Sequence, residues 1–343
     1  MTDPVLEVRG LRKYFEIPRS RGGGRVHAVD GVDLTIGAGE VLGLVGESGS
    51  GKSTVGKCVV RLIEPTGGEV RLHGRDVTHL PQRQLRDVRR QVHMVFQDPY
   101  SSLDPRMQIG DVVAEPLRMH KIARGREVEH RVGEVLQRVG LSADMRSRYP
   151  HELSGGQRQR VGLARSLVLE PSLLIADEPV SALDVSVQAS IINLMLDLQR
   201  DMGFSCLFIA HDLATVEFLC NQVAVMYLGR IVEDASREEL FKQPRHPYTQ
   251  SLLSAVPLPD PPLQRSRQRV MLAGDIPSPV DPPSGCHFHT RCPVAEFPLC
   301  READPQLLDH RSDGHRAACH LVREDGAPPD IMRGTSGIVH NKT

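Results

Sequence analysis

The sequence predicts an α/β protein with a doubly wound, mainly parallel sheet, and three observations support this fold class. Residues 41–45, 173–177 and 206–210 are apolar runs without alternation, which is typical of strands buried on both faces. Segments with helical spacing of apolar residues separate these runs along the chain. A glycine-rich turn at 46–54 joins the first run to a helical pattern at 55–62. Strand and helix therefore alternate, as a parallel sheet with crossover helices requires.

Further strands are predicted around the glycine-rich turn. Before it lie predicted strands at 5–8 and 28–36, separated by an Arg-, Ser- and Gly-rich stretch at 19–25. We interpret that stretch as a flexible hairpin tip, because its composition is that of a surface loop. After the turn, strands are predicted at 67–72 and 90–96.

The character of the chain changes near residue 100. A turn-rich stretch is followed by helical patterns at 109–120 and 126–140, a shorter one at 141–148, and a helix that ends at 168. We interpret about 100–160 as a helical insertion into the sheet. Strands and helices then alternate again, with a helix at 186–199 and strands at 223–227 and 230–232.

Prolines mark the end of the first predicted domain. The helix that follows His246 and Pro247 ends near Val256, and eight prolines lie between residues 257 and 283. Such a density of proline disfavours regular structure. We therefore predict a domain at 1–256, a small loop-rich C-terminal domain at 257–325 with a cluster of cysteines, and a disordered tail at 326–343.

Composition limits the class of protein. The chain has 343 residues, a formal net charge of −1 and 4% aromatic residues, so no global charge or stacking surface favours nucleic acid. No apolar run reaches the 18 or so residues of a membrane span, and the N-terminus lacks a secretion signal. We expect a soluble, cytosolic protein whose seven cysteines are reduced.

The glycine-rich turn has the pattern of a phosphate-binding loop. The spacing G-x-x-x-x-G-K-S between a strand and a helix lets backbone N–H groups and the helix N-terminus face an anion. Lys52 is expected to reach the β- and γ-phosphates, and the Ser53 hydroxyl to ligate Mg²⁺. The sequence therefore predicts that the chain binds a nucleoside triphosphate.

Polar side chains follow other predicted strands where the ligand crevice of a doubly wound sheet lies. Asp177 is expected to bind Mg²⁺, and Glu178 to accept a proton from the attacking water or to orient it. Gln97 is a candidate for water positioning and Mg²⁺ contact. His211 is a candidate for a hydrogen bond to the γ-phosphate.

A second anion site is predicted at a distant helix start. Residues 153–157, Leu-Ser-Gly-Gly-Gln, again place small residues before a helical pattern. One nucleotide does not need two phosphate loops from one chain. We therefore expect two protomers to pair, with each completing the nucleotide site of the other.

Together these motifs resemble the ATP-binding cassette (ABC) family over about residues 5–255. The resemblance implies a P-loop NTPase fold with a RecA-like core, an antiparallel β subdomain and the helical insertion. It also implies a head-to-tail dimer that closes around two MgATP and drives a membrane permease. The Walker A residues are Gly46, Glu47, Ser48, Gly49, Ser50, Gly51, Lys52, Ser53 and Thr54.

The same resemblance assigns the remaining site residues. The Q-loop residue is Gln97, the catalytic carboxylate is Glu178 and the switch histidine is His211. Phe15 is expected to stack on adenine, with Tyr14 as the runner-up. Mg²⁺ is expected on Ser53, Gln97 and Asp177. The signature residues are Leu153, Ser154, Gly155, Gly156 and Gln157, and the D-loop residues are Ser181, Ala182, Leu183 and Asp184.

Further motifs resemble the oligopeptide/dipeptide importer ATPases. They lie at 96–107, at 246–249 and at 274–279, while 98–100 and 114–118 resemble the second of the two ATPase subunits of such importers. The implied partners are a paralogous ATPase, two permease subunits and an extracytoplasmic peptide-binding protein. A permease coupling helix would dock beside Gln97. The implied location is peripheral, at the cytoplasmic face of the cell membrane.

Four cysteines are concentrated in the C-terminal segment: Cys286, Cys292, Cys300 and Cys319. Such a loop-rich segment often needs a staple, and a cytosolic disulfide is disfavoured. Zinc is possible with His287, His289 or His320 as additional ligands, although the spacing lacks the usual Cys-x2-Cys pairs. Four unligated thiols are the simplest alternative. The resemblance implies a [4Fe–4S] cluster with a structural role.

Other functions stay open at this point. Importers of nickel, glutathione or sugars use similar ATPases, and the solute is not encoded in this chain. A soluble ABC ATPase acting on nucleic acid or ribosomes is a second class, but the basic extensions and long insertions typical of it are absent from the sequence. An iron or redox sensor is a third class that only the cysteines support.

Overall fold

The computed structural model describes residues 4–98, 103–181, 183–256, 270, 272 and 274–331. Its first part has strands β1 (Leu6–Glu16), β2 (Arg25–Ile36) and β3 (Val41–Val45), helix α1 (Lys52–Val59), strands β4 (Gly67–Leu72) and β5 (Arg75–Asp76), helix α2 (Leu85–Gln91) and strand β6 (Val92–Val95). The helical insertion has α3 (Ile109–Met119), α4 (Arg126–Arg138) and α5 (Gly155–Leu167). Short 3₁₀ turns lie at Arg19–Arg21, Ala143–Ser147 and Pro150–Glu152.

The second part returns to alternating elements. It has β7 (Leu173–Asp177), α6 (Val185–Met202), β8 (Ser205–Ala210), α7 (Leu213–Leu219), β9 (Gln222–Tyr227), β10 (Arg230–Ser236), α8 (Arg237–Lys242) and α9 (Pro247–Ala255). The C-terminal segment adds α10 (Leu299–Glu302), β11 (Leu308–Asp309) and β12 (Arg316–Ala317). Among the helices of the described ranges, none is long and apolar enough to cross a membrane.

The central sheet runs in the order β11-β12-β10-β9-β3-β8-β7-β6. Pairing is parallel from β9 through β3, β8 and β7 to β6, and antiparallel beyond β9. The predicted doubly wound sheet is therefore confirmed. Because β3, β6, β7 and β8 are parallel, their carboxyl ends meet at one edge of the sheet.

Two hydrophobic cores cover the two faces of this sheet. Leu42 and Leu44 of β3 belong to one core, together with α1 and the small sheet β2-β1-β4-β5. Val41 and Val45 belong to the other, together with the helical insertion. Alternate residues of a strand point to opposite faces, so the unbroken apolar runs follow from burial on both sides.

The structure differs from the sequence prediction in local detail. Residues 90–91 belong to α2 rather than to a strand, and residues 141–148 form a 3₁₀ turn at Ala143–Ser147 instead of a helix. The sequence patterns do not predict helix α7, which is only seven residues long. It is capped by Asp212, whose carboxylate accepts a hydrogen bond from the N–H of Ala214 at 2.9 Å.

The C-terminal segment packs on the rest of the chain. Strand β12 pairs with β10 and thereby joins the central sheet. Buried Glu233 of β10 accepts hydrogen bonds from His315 Nε2 at 2.7 Å and from the N–H of Arg245 at 2.6 Å. The predicted domain boundary near 257 lies outside the described residues, and so do residues 332–343 of the predicted tail at 326–343. The described part of that tail ends at Ile331, which is buried.

Candidate nucleotide site

The glycine-rich loop leads from the end of β3 into α1. Gly46 and Gly51 have φ angles of +154° and +106°, in the region that favours glycine. A Cβ atom on Gly46 would lie 2.1 Å from the carbonyl oxygen of Met226, and one on Gly51 would lie 2.0 Å from that of Ala28. No other residue fits these two positions, so the glycines fix the curl of the loop.

Lys52 is folded back onto the loop. Its Nζ donates hydrogen bonds to the carbonyl oxygens of Gly46 at 2.8 Å and Glu47 at 2.9 Å. Burial lowers the pKa of Lys52, while the carboxylates of Glu178 and Asp177 oppose that shift. A cation held at this point inside the loop is suited to an anionic ligand.

Ser53 and Asp177 meet between α1 and β7. The Ser53 hydroxyl donates to Asp177 Oδ1 at 2.7 Å. Burial raises the pKa of Asp177, and the hydrogen bond from Ser53 opposes the shift. A hydroxyl and a carboxylate are the oxygen ligands that Mg²⁺ prefers, so the pair predicted from the sequence fits this ion.

Two predicted residues, which follow β6 and β8, converge on the carboxylate of a third, which follows β7. Gln97 Nε2 donates to Glu178 Oε2 at 3.0 Å, and His211 Nδ1 lies 3.4 Å from the same oxygen. Glu178 itself has a φ angle of +47°, which is rare for a residue with a side chain. Its N–H donates to the carbonyl of Ile209 at 3.0 Å and so fixes this conformation. Strained residues of this kind concentrate at functional sites.

A cavity of about 390 Å³ is lined by Lys52, Ser53, Gln97, Glu178 and His211 from this set, while Asp177 is not part of its lining. The predicted residues in its lining belong to the glycine-rich loop and to the strand ends. Strand β2 and the C-terminal segment contribute the other lining residues. Its lining residues are Val26, Ala28, Ser48, Gly49, Gly51, Lys52, Ser53, Thr54, Gln97, Glu178, His211 and Pro279.

Phe15 lies beside this cavity rather than in its lining. It is paired with Val26 in the β1–β2 ladder and is 39% exposed. The hydroxyl of its neighbour Tyr14 donates to Asp30 Oδ1 at 2.5 Å. The Tyr14 ring packs against His27, with ring centres 4.5 Å apart, so the more exposed Phe15 ring stays the first candidate for stacking on a base.

The signature residues form the N-terminus of α5. Ser154 Oγ accepts a hydrogen bond from the N–H of Gln157 at 3.3 Å, and Gln157 Oε1 accepts one from the N–H of Ser154 at 3.0 Å. This capping box satisfies the N–H groups of Ser154 and Gln157, and the N–H groups of the first helical turn have no partner within the helix itself. Leu153, Ser154, Gly155, Gly156 and Gln157 are all absent from the cavity lining described above.

The D-loop follows Glu178 directly. Ser181 Oγ donates to the carbonyl oxygen of Glu178 at 3.1 Å, and Asp184 is the N-cap of α6. Leu183 N–H donates to the carbonyl of Val180 at 3.1 Å. Ala182 lies outside the described residues.

Sequence reasoning missed two site residues that contact the glycine-rich loop and one that lines the cavity. Arg291 donates two hydrogen bonds to the carboxylate of Glu47, at 2.7 and 3.0 Å. Tyr248 accepts a hydrogen bond from the N–H of Glu47 at 2.8 Å, and Pro279 lines the cavity. Arg291 lies 244 positions from Glu47, and no local pattern in the sequence signals such a contact.

The four C-terminal cysteines are buried or half-buried. Burial raises the pKa of Cys286 to about 11 and the pKa values of Cys292 and Cys319 to about 12. The N–H groups of Phe288, Val294 and Leu321, each two residues further on, donate to these three sulfurs. Within the described ranges, no group of three or more His, Cys, Asp or Glu side chains has the arrangement of a metal site.

Comparison with known proteins identifies the class. Residues 29–181 match the family model described as ABC transporter. The chain is 49% identical over 323 residues to the oligopeptide transport ATP-binding protein AppF of Bacillus subtilis (strain 168), which covers 93% of this chain and 98% of AppF. The fold and the site define an ATPase of the ABC transporter family, and the chain belongs to that family.

A second match identifies the branch. Residues 232–300 match the model described as oligopeptide/dipeptide transporter, C-terminal region. The resemblance predicted from the sequence motifs is therefore confirmed.

Solved structures agree on the fold. The dimeric post-hydrolysis structure of the cassette MJ0796 with ADP and Pi has a TM-score of 0.62 at 28% identity and covers 68% of this chain and 98% of that one. The structure of cbiO1 from Clostridium perfringens, part of the ABC transporter complex cbiONQ, has a TM-score of 0.61 at 30% identity and covers 70% and 91%.

Proposed function

We propose that this chain is the ATP-hydrolysing subunit of an ABC importer that takes up dipeptides or oligopeptides. The observation that carries the proposal is the convergence of Gln97 and His211 on Glu178 Oε2, at 3.0 and 3.4 Å, beside the Ser53–Asp177 pair. This arrangement brings a base, two positioning groups and a metal-binding pair to the rim of the glycine-rich loop.

The proposed reaction is attack of water on the γ-phosphorus of ATP. Glu178 accepts a proton from the water while the water oxygen bonds to the γ-phosphorus. The bond between the γ-phosphorus and the oxygen that leaves with ADP breaks. Gln97 and His211 hold the carboxylate and the water in line, while Lys52 binds the phosphates. Ser53, Asp177 and Gln97 would hold Mg²⁺, which neutralises charge on the phosphates when it is bound.

The complete site requires a second ATPase. The signature residues 153–157 lie outside the cavity, which supports a role at the nucleotide of a partner. A similar cassette with a solved structure is a dimer bound to ADP and Pi. We propose a heterodimer with a paralogous ATPase, as two-ATPase importers have.

The peptide substrate is proposed from the C-terminal region and from the relatives. AppF is named for oligopeptide transport, and the matched region is described for oligopeptide/dipeptide transporters. Nickel, glutathione or sugar import is the alternative. In either case we assign solute recognition to the permease and an extracytoplasmic binding protein, and we place the chain at the cytoplasmic face of the membrane.

A groove beside Gln97 is suited to the permease. It has a volume of about 440 Å³ and is lined by Leu62, Phe96 and Met119, which are 54%, 39% and 66% exposed, with Arg89 also in its lining. Apolar side chains left in water beside a cation favour an amphipathic helix with one acidic residue. We propose a coupling helix of the permease as the occupant.

The groove is tested by co-purification. Changing both Leu62 and Met119 to Asp should abolish recovery of the chain with its permease subunits. The control is Leu308→Asp, which introduces one negative charge at a 54% exposed apolar position on the edge of the central sheet. Equal recovery of all variants would exclude this groove.

We propose that the four C-terminal cysteines hold a [4Fe–4S] cluster, with Zn²⁺ as the alternative. The N–H groups that donate to three of the sulfurs support thiolate ligation, because such donors stabilise sulfur ligands of iron. The cluster has no step in the ATPase reaction. Anaerobically purified protein should contain four iron atoms per chain and absorb near 400 nm as such clusters do, whereas colourless protein with one zinc would exclude the cluster.

The function is tested in the assembled transporter. The chain, its paralogue and the permease subunits are reconstituted in vesicles, and ATP hydrolysis is measured with the binding protein loaded with peptide or left empty. Peptide should stimulate hydrolysis and be accumulated, and Glu178→Gln should abolish both. Stimulation by nickel, glutathione or sugar alone would refute peptide as the solute. Tight RNA binding with a steep salt dependence, and no permease association, would refute transport.

A further inference from the structure

Glu47 is held at three points although it belongs to the glycine-rich loop. Its carbonyl oxygen accepts from Lys52 Nζ at 2.9 Å, and its N–H donates to Tyr248 at 2.8 Å. Its carboxylate is paired with both terminal nitrogens of Arg291. The loop that faces the phosphates is thus fixed from outside by residues of α9 and of the C-terminal segment.

Arg291 is itself rigidly placed. It is 8% exposed, and its guanidinium lies 5.9 Å from the centre of the Tyr227 ring. Phe288, three residues earlier, is buried against Tyr227 and Tyr248 with ring centres 5.2 and 5.4 Å away. The N–H of Arg291 donates to the carbonyl of Phe288 at 3.0 Å. An aromatic cluster therefore fixes the turn that carries the guanidinium.

The same segment reaches the nucleotide cavity at a second point. The carbonyl oxygen of Pro279 accepts a hydrogen bond from the N–H of His27 at 2.8 Å. Pro279 lines the cavity together with Val26 and Ala28, the neighbours of His27 in β2. One part of the C-terminal segment thus contacts the glycine-rich loop, and another lines the cavity.

We propose that the C-terminal segment sets the geometry and charge of the ATP site in its own chain, with Arg291 as a positioning residue for nucleotide binding. The proposal rests on the proposed ATPase function. Glu47 puts a carboxylate into a loop that must bind an anion, and this charge opposes phosphate unless it is compensated. The two parallel hydrogen bonds from Arg291 compensate it and also fix its direction.

The test is a double-mutant cycle on the affinity for MgATP. Arg291→Gln should raise the dissociation constant about tenfold, because Glu47 then keeps an uncompensated charge. Adding Glu47→Gln should recover most of this loss, because the neutral pair can still hydrogen-bond. Arg291→Lys, which keeps the charge and loses the paired geometry, should lie between these values. In the assembled transporter, Arg291→Gln should raise KM and leave kcat within about twofold.

Arg316→Gln is the matched control, since it breaks another ion pair of the same segment, with Asp234. It should leave the MgATP affinity unchanged, and the Tm of each variant reports whether folding is affected. Unchanged affinity in Arg291→Gln, or additive losses in the double variant, would overturn the proposal. Failure of the wild-type chain to bind MgATP would instead refute the proposed function, and the positioning role with it.

Discussion

Replacing Glu178 by Gln is expected to leave nucleotide binding intact and to remove nearly all hydrolysis. The amide has the size of the carboxylate, so the positions next to Gln97 and His211, at 3.0 and 3.4 Å, are retained. It has no charge and does not accept a proton from water. The change therefore isolates the chemistry from the packing.

The size of the effect follows from the role of the group. A positioned general base contributes about 10²- to 10⁴-fold to a rate, which corresponds to about 3 to 5 kcal/mol of activation free energy. Because the backbone N–H of Glu178 is held by Ile209, the substitution should not relax the strand end. We expect a loss in this range with a change in MgATP affinity below about threefold.

Single-turnover hydrolysis in the assembled transporter measures this step without product release. Light scattering with MgATP should also show that the variant accumulates as a closed pair of ATPases, because hydrolysis no longer opens it. Glu217→Gln on the exposed face of α7 is the control and should match the wild type. An unchanged single-turnover rate would remove Glu178 from the proposed mechanism.

Three further predictions concern the same region. Lys52→Ala should weaken MgATP binding at least tenfold, because a charge-assisted hydrogen bond contributes about 1.5–3 kcal/mol; undiminished affinity in an equilibrium titration would contradict its role. His211→Ala should lower the single-turnover rate and keep the affinity, since its contact is with Glu178 at 3.4 Å; equal rates would exclude it. Burial lowers the pKa of His246 to about 4, against an ordinary value of 6.5. The unfolded chain therefore binds more protons below pH 6.5, and the free energy of unfolding should fall by about 3 kcal/mol as pH drops from 6.5 to 4. His246→Asn retains a cap for α9 and should flatten this slope in urea melts, so identical slopes would refute the assignment.

Much of the site was predictable because its residues lie at fixed places relative to local patterns. The loop at 46–54 has its own spacing, Asp177 ends an apolar strand, and Gln97 and His211 each come after one. Parallel strands bring their carboxyl ends to one edge, so these separate positions meet in space. The order of motifs was therefore enough to predict that Gln97, Glu178 and His211 share the cavity with the loop, but not that Pro279 also lines it.

The C-terminal segment shows where this reasoning ends. Its prolines and cysteines predicted a separate loop-rich domain, and that division stays a prediction. The contacts of its described residues, from Arg291 to Glu47 and from Pro279 to His27, are made across more than 200 positions of sequence. Contacts of that range depend on how loops pack, for which residue spacing contains no signal.

The sequence by itself determined the fold class, the phosphate loop and the identity of the groups around it, because backbone periodicity and glycine requirements are local properties. Only the tertiary structure decided that Gln97 and His211 share one oxygen of Glu178, and that Arg291 compensates the charge of Glu47. Distances of 3 Å between distant residues follow from the packing of the whole chain. The loop at 46–54 is thus specified by its own residues and held in place by those of the C-terminal segment.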